Sequence, residues 1–114
     1  MFSPVNLSLS GIHAAFDILN VSANNVANSG SDGFKKDTVK LSEGRDGGVT
    51  TTVEKSSTPG PLYQSPTGTL IEASNVDLAE EMVSQMTSRH LLSANIAAYK
   101  TADEMQSALL DLFT

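Results

Sequence analysis

The sequence predicts a mainly α fold in which an N-terminal helix pairs, coiled-coil fashion, with a long C-terminal helix, and a small β and loop excursion joins them. Three observations carry that reading. Apolar residues concentrate in about the first thirty and about the last forty of the 114 residues, while Gly, Ser, Thr, Pro and charged residues dominate the middle. The N-terminal stretch keeps an unbroken a/d heptad spacing. The C-terminal stretch runs from Leu78 to Phe113 without Gly or Pro. A chain of this length is one domain, and its parts divide as residues 1–30, 31–73 and 74–114.

In the first part Val5, Leu9, Ile12, Phe16, Leu19, Ala23 and Val26 recur at alternating intervals of four and three, which lays them along one side of a helix. Ser3 or Asn6 is placed to cap its start. Gly30, which tolerates positive φ, is placed to close its end near Asn28-Ser29-Gly30. At ~1.5 Å per residue the helix is about 35 Å long. Gly11 in its interior weakens it by roughly 1 kcal/mol relative to Ala, so its stability must come from neighbours.

The middle reads as turns and short strands. Ser31-Asp32-Gly33 is a turn. Thr38-Val39-Lys40-Leu41 and Val49 to Val53 alternate or are rich in β-branched residues, and Asp46-Gly47-Gly48 between them suggests a hairpin. Ser57 to Gly68 holds Pro59, Pro61 and Pro66 with Gly60 and Gly68, and reads as a loop or extended linker. An isolated hairpin is marginal in water, so this one needs a helix to lie on.

Ser74-Asn75-Val76-Asp77 opens the last part, where Asp77 and Glu80 have capping-box spacing. Glu80 and Glu81 sit where the helix dipole favours negative charge. The helix then extends ~54 Å. Its apolar stripe includes Leu78, Met82, Met86, Leu92, Ile96, Tyr99, Met105, Leu109, Leu110, Leu112 and Phe113, broken by Gln85, Arg89 and Asp103. A stripe this wide needs several neighbours.

Composition excludes several classes. The net charge is −6 and the seven basic residues are scattered, only Lys35 and Lys36 being adjacent. Nucleic-acid binding needs clustered Lys and Arg. There is no cysteine, hence no disulfide, thiol nucleophile or Cys-ligated zinc. Met1-Phe2-Ser3-Pro4-Val5 lacks the basic and apolar blocks of a cleavable signal. No apolar run approaches the ~20 residues of a membrane span. His13 and His90 lack metal-ligand spacing. No nucleophile–base or phosphate-cradling motif is present, and Glu80-Glu81 and Asp103-Glu104 are adjacent on a helix, so their members diverge by roughly 100°. No catalytic residue, cofactor, metal or small-molecule substrate is expected.

What remains is apolar helix surface. Two helices bury only one seam, so lateral neighbours must cover the rest, and head-to-tail contacts that do not close a ring build a filament. The expected assembly interface is Leu9, Ile12, Phe16, Leu19 and Val26 on the first helix. On the second it is Met82, Met86, Leu92, Asn95, Ile96, Tyr99, Met105, Leu109 and Phe113. The terminal segments are expected to gain order on assembly. The competing reading is a soluble helical adaptor or chaperone-like module that forms a closed oligomer.

Ser22-Ala23-Asn24-Asn25-Val26-Ala27-Asn28 followed by Asp32-Gly33-Phe34-Lys35-Lys36 resembles the N-terminal signature of bacterial flagellar rod and hook proteins. Leu70 to Leu78, then Glu80-Glu81-Met82-Val83, Ala94-Asn95 and Thr101-Ala102-Asp103-Glu104-Met105, follow the order of that family's C-terminal helix. Arg89-His90 stands where the family usually has Gln-Arg, and Leu92 where an aromatic is common. The resemblance implies a basal-body rod subunit, exported by the flagellar type III apparatus without a cleaved signal and assembled helically with itself and other axial proteins in the periplasm-spanning rod. The short central insert is similar to that of proximal rod proteins. It also gives Asn24, Asn25 and Asn28 two readings: helix-end chemistry, or hydrogen bonds between subunits that fix register. Phe34 is either a local anchor for the Gly33 turn or a contact to a neighbouring subunit.

Overall fold

The computed structural model describes residues 3–113; the outermost positions of the first and last parts, residues 1, 2 and 114, lie outside them. Two helices carry the molecule: α1 (Pro4–Ala27) and α2 (Leu78–Leu112). Between them come β1 (Asp37–Glu43), β2 (Val49–Lys55), β3 (Leu62–Gln64) and β4 (Leu70–Glu72). β1 pairs antiparallel with β2, Val39 opposite Val53, and β3 pairs antiparallel with β4, Tyr63 opposite Ile71. The mainly α fold with a small β excursion is the one the sequence predicts.

The ends of α1 differ from expectation. Ser3 occupies the N-cap position but its side chain makes no capping bond, and Pro4 at the first turn forgoes a donor that would be orphaned anyway. At the other end Asn28, not Gly30, closes the helix: its backbone N–H reaches Asn24 O and Asn25 O, and its side-chain amide donates to Asn24 O at 2.9 Å. With those carbonyls satisfied no left-handed cap is needed, and positive φ is confined to Gly33, Gly47, Gly48 and Gly68 among the described residues. At α2, Asp77 accepts from Ala79 N and Glu80 N as expected. Glu80 does not close the capping box; its carboxylate instead meets Lys36 Nζ at 2.5 Å.

The β1–β2 hairpin folds back along α1. Val49 N donates to Ser10 Oγ at 3.1 Å, and Thr51 Oγ1 to Asp17 Oδ2 at 2.5 Å. Gly48 lies against Ser10, where a Cβ would stand 2.5 Å from Oγ, so a side chain there would displace the hydroxyl that Val49 N uses. The second hairpin, β3–β4, falls where the sequence reads as a linker. Three-residue strands between Pro61 and Pro66 and after Gly68 are too short to show an alternation.

Asn75 fixes the approach to α2. It accepts from Lys36 N at 2.6 Å and donates to Thr58 O at 2.9 Å. Glu72 holds the same corner, accepting from Lys35 Nζ and from Gly60 N. The Lys35 bond, then the Gly60 bond, hold the Glu72 carboxyl below the ordinary glutamate value. A lowered folded-state pKa means stabilisation that is present above the unfolded value and lost as pH falls through the folded one. Protection of the Gly60 amide from exchange, relative to its intrinsic rate at each pH, is therefore expected to fall on acidification, and Glu72→Gln to remove that pH dependence. An unchanged acid response in Glu72→Gln would show that the ion pair does not hold the corner.

The molecule is elongated, 78 × 24 × 14 Å, with a radius of gyration of 20.0 Å. A compact chain of this length has a radius of about 13 Å. Its surface, 7996 Å², likewise exceeds the roughly 6,000 Å² of a compact monomer of this mass.

Candidate assembly face

The two helices run antiparallel. Ser22 Oγ donates to Glu81 O at 3.1 Å near one end of the pair, Gly11 lies against Asn95 in the middle, and Pro4 and Ala102 line one cleft at the other end. The residues at this seam are small or polar. On α1 the buried positions include Ser8, Gly11, Ala15, Ser22 and Asn25; on α2 they are Glu81 and Ser88, with Asn95 half-buried one heptad further on. Ala14 and Ala15 are the only fully buried apolar side chains among the described residues. Gly11 shows how: a Cβ there would stand 2.3 Å from Asn95 Oδ1, so the absence of a side chain makes the room that the Asn95 amide occupies.

The pairing therefore does not use the apolar stripe that dominates the α1 sequence. Seam positions 8, 11, 15, 18, 22 and 25 and stripe positions 9, 12, 16, 19, 23 and 26 are one residue apart throughout. One residue is a rotation of about 100°. On α2 the same offset separates Glu81, Ser88 and Asn95 from Met82, Arg89 and Ile96. Because the helices are antiparallel, advancing one residue on each turns both stripes toward the same side. The hairpin takes the other side, on Ser10 and Asp17. One broad face is thus left open, with Leu9 42% exposed, Phe16 48%, Met82 64% and Ile96 39%.

Most of the predicted interface lies on or beside this face. Leu9, Phe16, Met82, Met86 and Ile96 are exposed, and Ile12, Leu19 and Val26 are half-buried. Leu92 and Tyr99 are half-buried on the flank between seam and stripe. Met105 and Leu109 instead prolong the seam past Pro4, and Phe113 is exposed at the end of α2.

Four predicted residues are placed otherwise. Asn95 belongs to the seam, donating to Leu91 O at 2.8 Å. Asn25, 1% exposed, is used up inside the protomer: it accepts from Asp37 N at 2.9 Å and donates to Asp37 O at 2.8 Å and to Glu81 Oε1 at 3.0 Å. Its amide fastens α1, β1 and α2 together. Asn28 does helix-end chemistry, and only Asn24 of the three asparagines is exposed. Phe34 is half-buried with Lys55 Nζ 5.5 Å from its ring centroid, as a local anchor would be. The seam residues Ser8, Gly11, Ser22, Glu81 and Ser88 escape an apolar-periodicity reading, although small residues at heptad spacing and an interior helix glycine were a signal for them.

No group of three or more His, Asp or Glu is gathered as a metal site, and no helix is long and apolar enough to cross a membrane, among the described residues. The fold is thus an elongated pair of terminal helices with one apolar side open. Residues 67–112 match the family described as flagellar basal body rod FlgEFG protein C-terminal. That segment, which holds all of α2, is similar to the C-terminal part of flagellar rod proteins. Comparison with curated proteins gives no match. The match supports a structural role in the basal-body rod, in association with other flagellar rod proteins.

Proposed function

We propose that this chain is a non-enzymatic rod subunit, exported through the flagellar type III apparatus and built helically into the rod by laying its open face against copies of itself and other axial proteins. The observation that supports this most is the one-residue offset between seam and stripe. Small residues satisfy the intramolecular pairing, so Leu9, Phe16, Met82 and Ile96 are left wet in the protomer. Burying a large apolar side chain is worth ~1.5–3 kcal/mol, and a row of them drives association without further chemistry. The inner residues of the face are aliphatic and thioether side chains, which adapt to neighbours that are not identical.

Phe16→Asp tests the reading. It sits on the open face away from the seam, so the helicity of the dilute chain is expected to stay within error of the parent. Sedimentable assembly and incorporation into basal bodies are expected to be lost. Normal incorporation of Phe16→Asp and of Leu9→Asp alike would show that the face is not the assembly surface.

A further inference from the structure

Along the open side of α2 five residues stand at strict heptad intervals: Met82, Arg89, Ile96, Asp103 and Leu110. The order is apolar, cation, apolar, anion, apolar. All five are exposed, and Arg89 and Asp103 have no ion-pair partner among the described residues. The row is self-complementary about its centre. When a second α2 runs antiparallel with Ile96 against Ile96, Met82 meets Leu110 and each Arg89 meets an Asp103. We infer that a second copy of this chain pairs with the first antiparallel along this row, giving a closed dimer of the soluble chain in which two helix pairs make a four-helix arrangement.

Geometry and charge both choose this pairing over the parallel one. A parallel pair also matches Arg89 with Asp103, but only when shifted by two heptads, or ~21 Å. It then makes one ion pair in place of two and leaves an end of each α2 unpaired. In the antiparallel pair the overlap extends over nearly the whole 35-residue helix. The apolar members supply the affinity, and exposed ion pairs contribute little of it. Their effect is on register, because any shift by one heptad sets a charge against an apolar side chain. The row drifts by ~20° per heptad, which a shallow left-handed supercoil absorbs.

This dimer rests on the reading of the open face as a self-association surface and adds a consequence. A two-fold pair closes on itself and cannot propagate. It therefore covers the α2 half of the face in the soluble chain and competes with rod assembly.

The chain has no cysteine, so Ile96→Cys provides a unique thiol. Mild oxidation of soluble Ile96→Cys is expected to give the disulfide-linked dimer in high yield. Mixing Met82→Cys chains with Ile96→Cys chains is expected to give no heterodimer above background. Arg89→Asp is expected to weaken dimerisation by about tenfold or more, measured by sedimentation, because each antiparallel contact becomes acid against acid. Asp103→Arg added to it is expected to restore the parent affinity. A Met82–Ile96 cross-link, or an Ile96→Cys chain that stays monomeric with native helicity, overturns the antiparallel dimer. If Phe16→Asp still blocks rod incorporation in that case, the assembly reading stands and only this inference fails.

Discussion

Asn25→Ala is expected to lower the melting temperature of the soluble chain by more than about 10 °C, the largest effect of any single truncation in the protein. The alanine leaves three partners stranded: the N–H and C=O of Asp37, and the Glu81 carboxylate. Glu81 is 6% exposed, so water does not readily replace the lost bond. The buried Glu81 carboxylate left without this bond costs about 1–3 kcal/mol, toward the upper end because it is charged, and the part-buried Asp37 groups add to it. Because Asn25 is the one side chain among the described residues that hydrogen-bonds to both β1 and α2, the loss should appear as early exchange of amides in β1 and in the first turns of α2. Thermal melts at matched concentration test this. A shift of only a degree or two would mean that Glu81 and Asp37 find other partners, and that Asn25 does not fasten the junction.

Gly11→Leu is expected to force the two helices apart at mid-length, costing about 2–3 kcal/mol as an overpacked seam. The informative comparison is Gly11→Ala. In an isolated helix that change gains ~1 kcal/mol, yet here the new methyl meets the Asn95 side chain at Cγ, Oδ1 and Nδ2. Gly11→Ala is therefore expected to be destabilising in the parent and stabilising when Asn95 is replaced by alanine. A double-mutant cycle by circular dichroism gives the coupling. Additive effects of the two changes would show that Gly11 and Asn95 do not define the approach of α1 and α2.

The two experiments probe features of unequal legibility. Gly11 reads in the sequence as a weak point of the first helix, and the structure gives the same residue the opposite value. Its lack of a side chain is what admits Asn95. Asn25 is singled out in the sequence, with helix-end chemistry and subunit register as the two readings. It serves neither, because its partners come from Asp37 and Glu81, twelve and fifty-six residues away. No local pattern encodes a pairing over such separations. The β1–β2 hairpin was legible, since Asp46-Gly47-Gly48 lies between two β-branched runs, whereas β3 and β4 were not, since three residues are too few for a period.

The internal pairing of the protomer consumes little apolar surface, Ala14 and Ala15 being the buried apolar side chains among the described residues. The excess of about 2,000 Å² over a compact monomer is comparable to a standard protein interface.

The sequence by itself determined the two terminal helices, their lengths, the acidic start of α2 and the presence of a small β excursion. These follow from periodicity, capping side chains and the placement of Gly and Pro, which act within a few residues of each other. Only the tertiary structure decided which side of each helix faces the other. Apolar periodicity marks the surface that gains most from leaving water, but the helices pair where their backbones come closest, and that requires glycine, alanine and serine. The apolar stripe, rotated by one residue, is what the protomer leaves exposed.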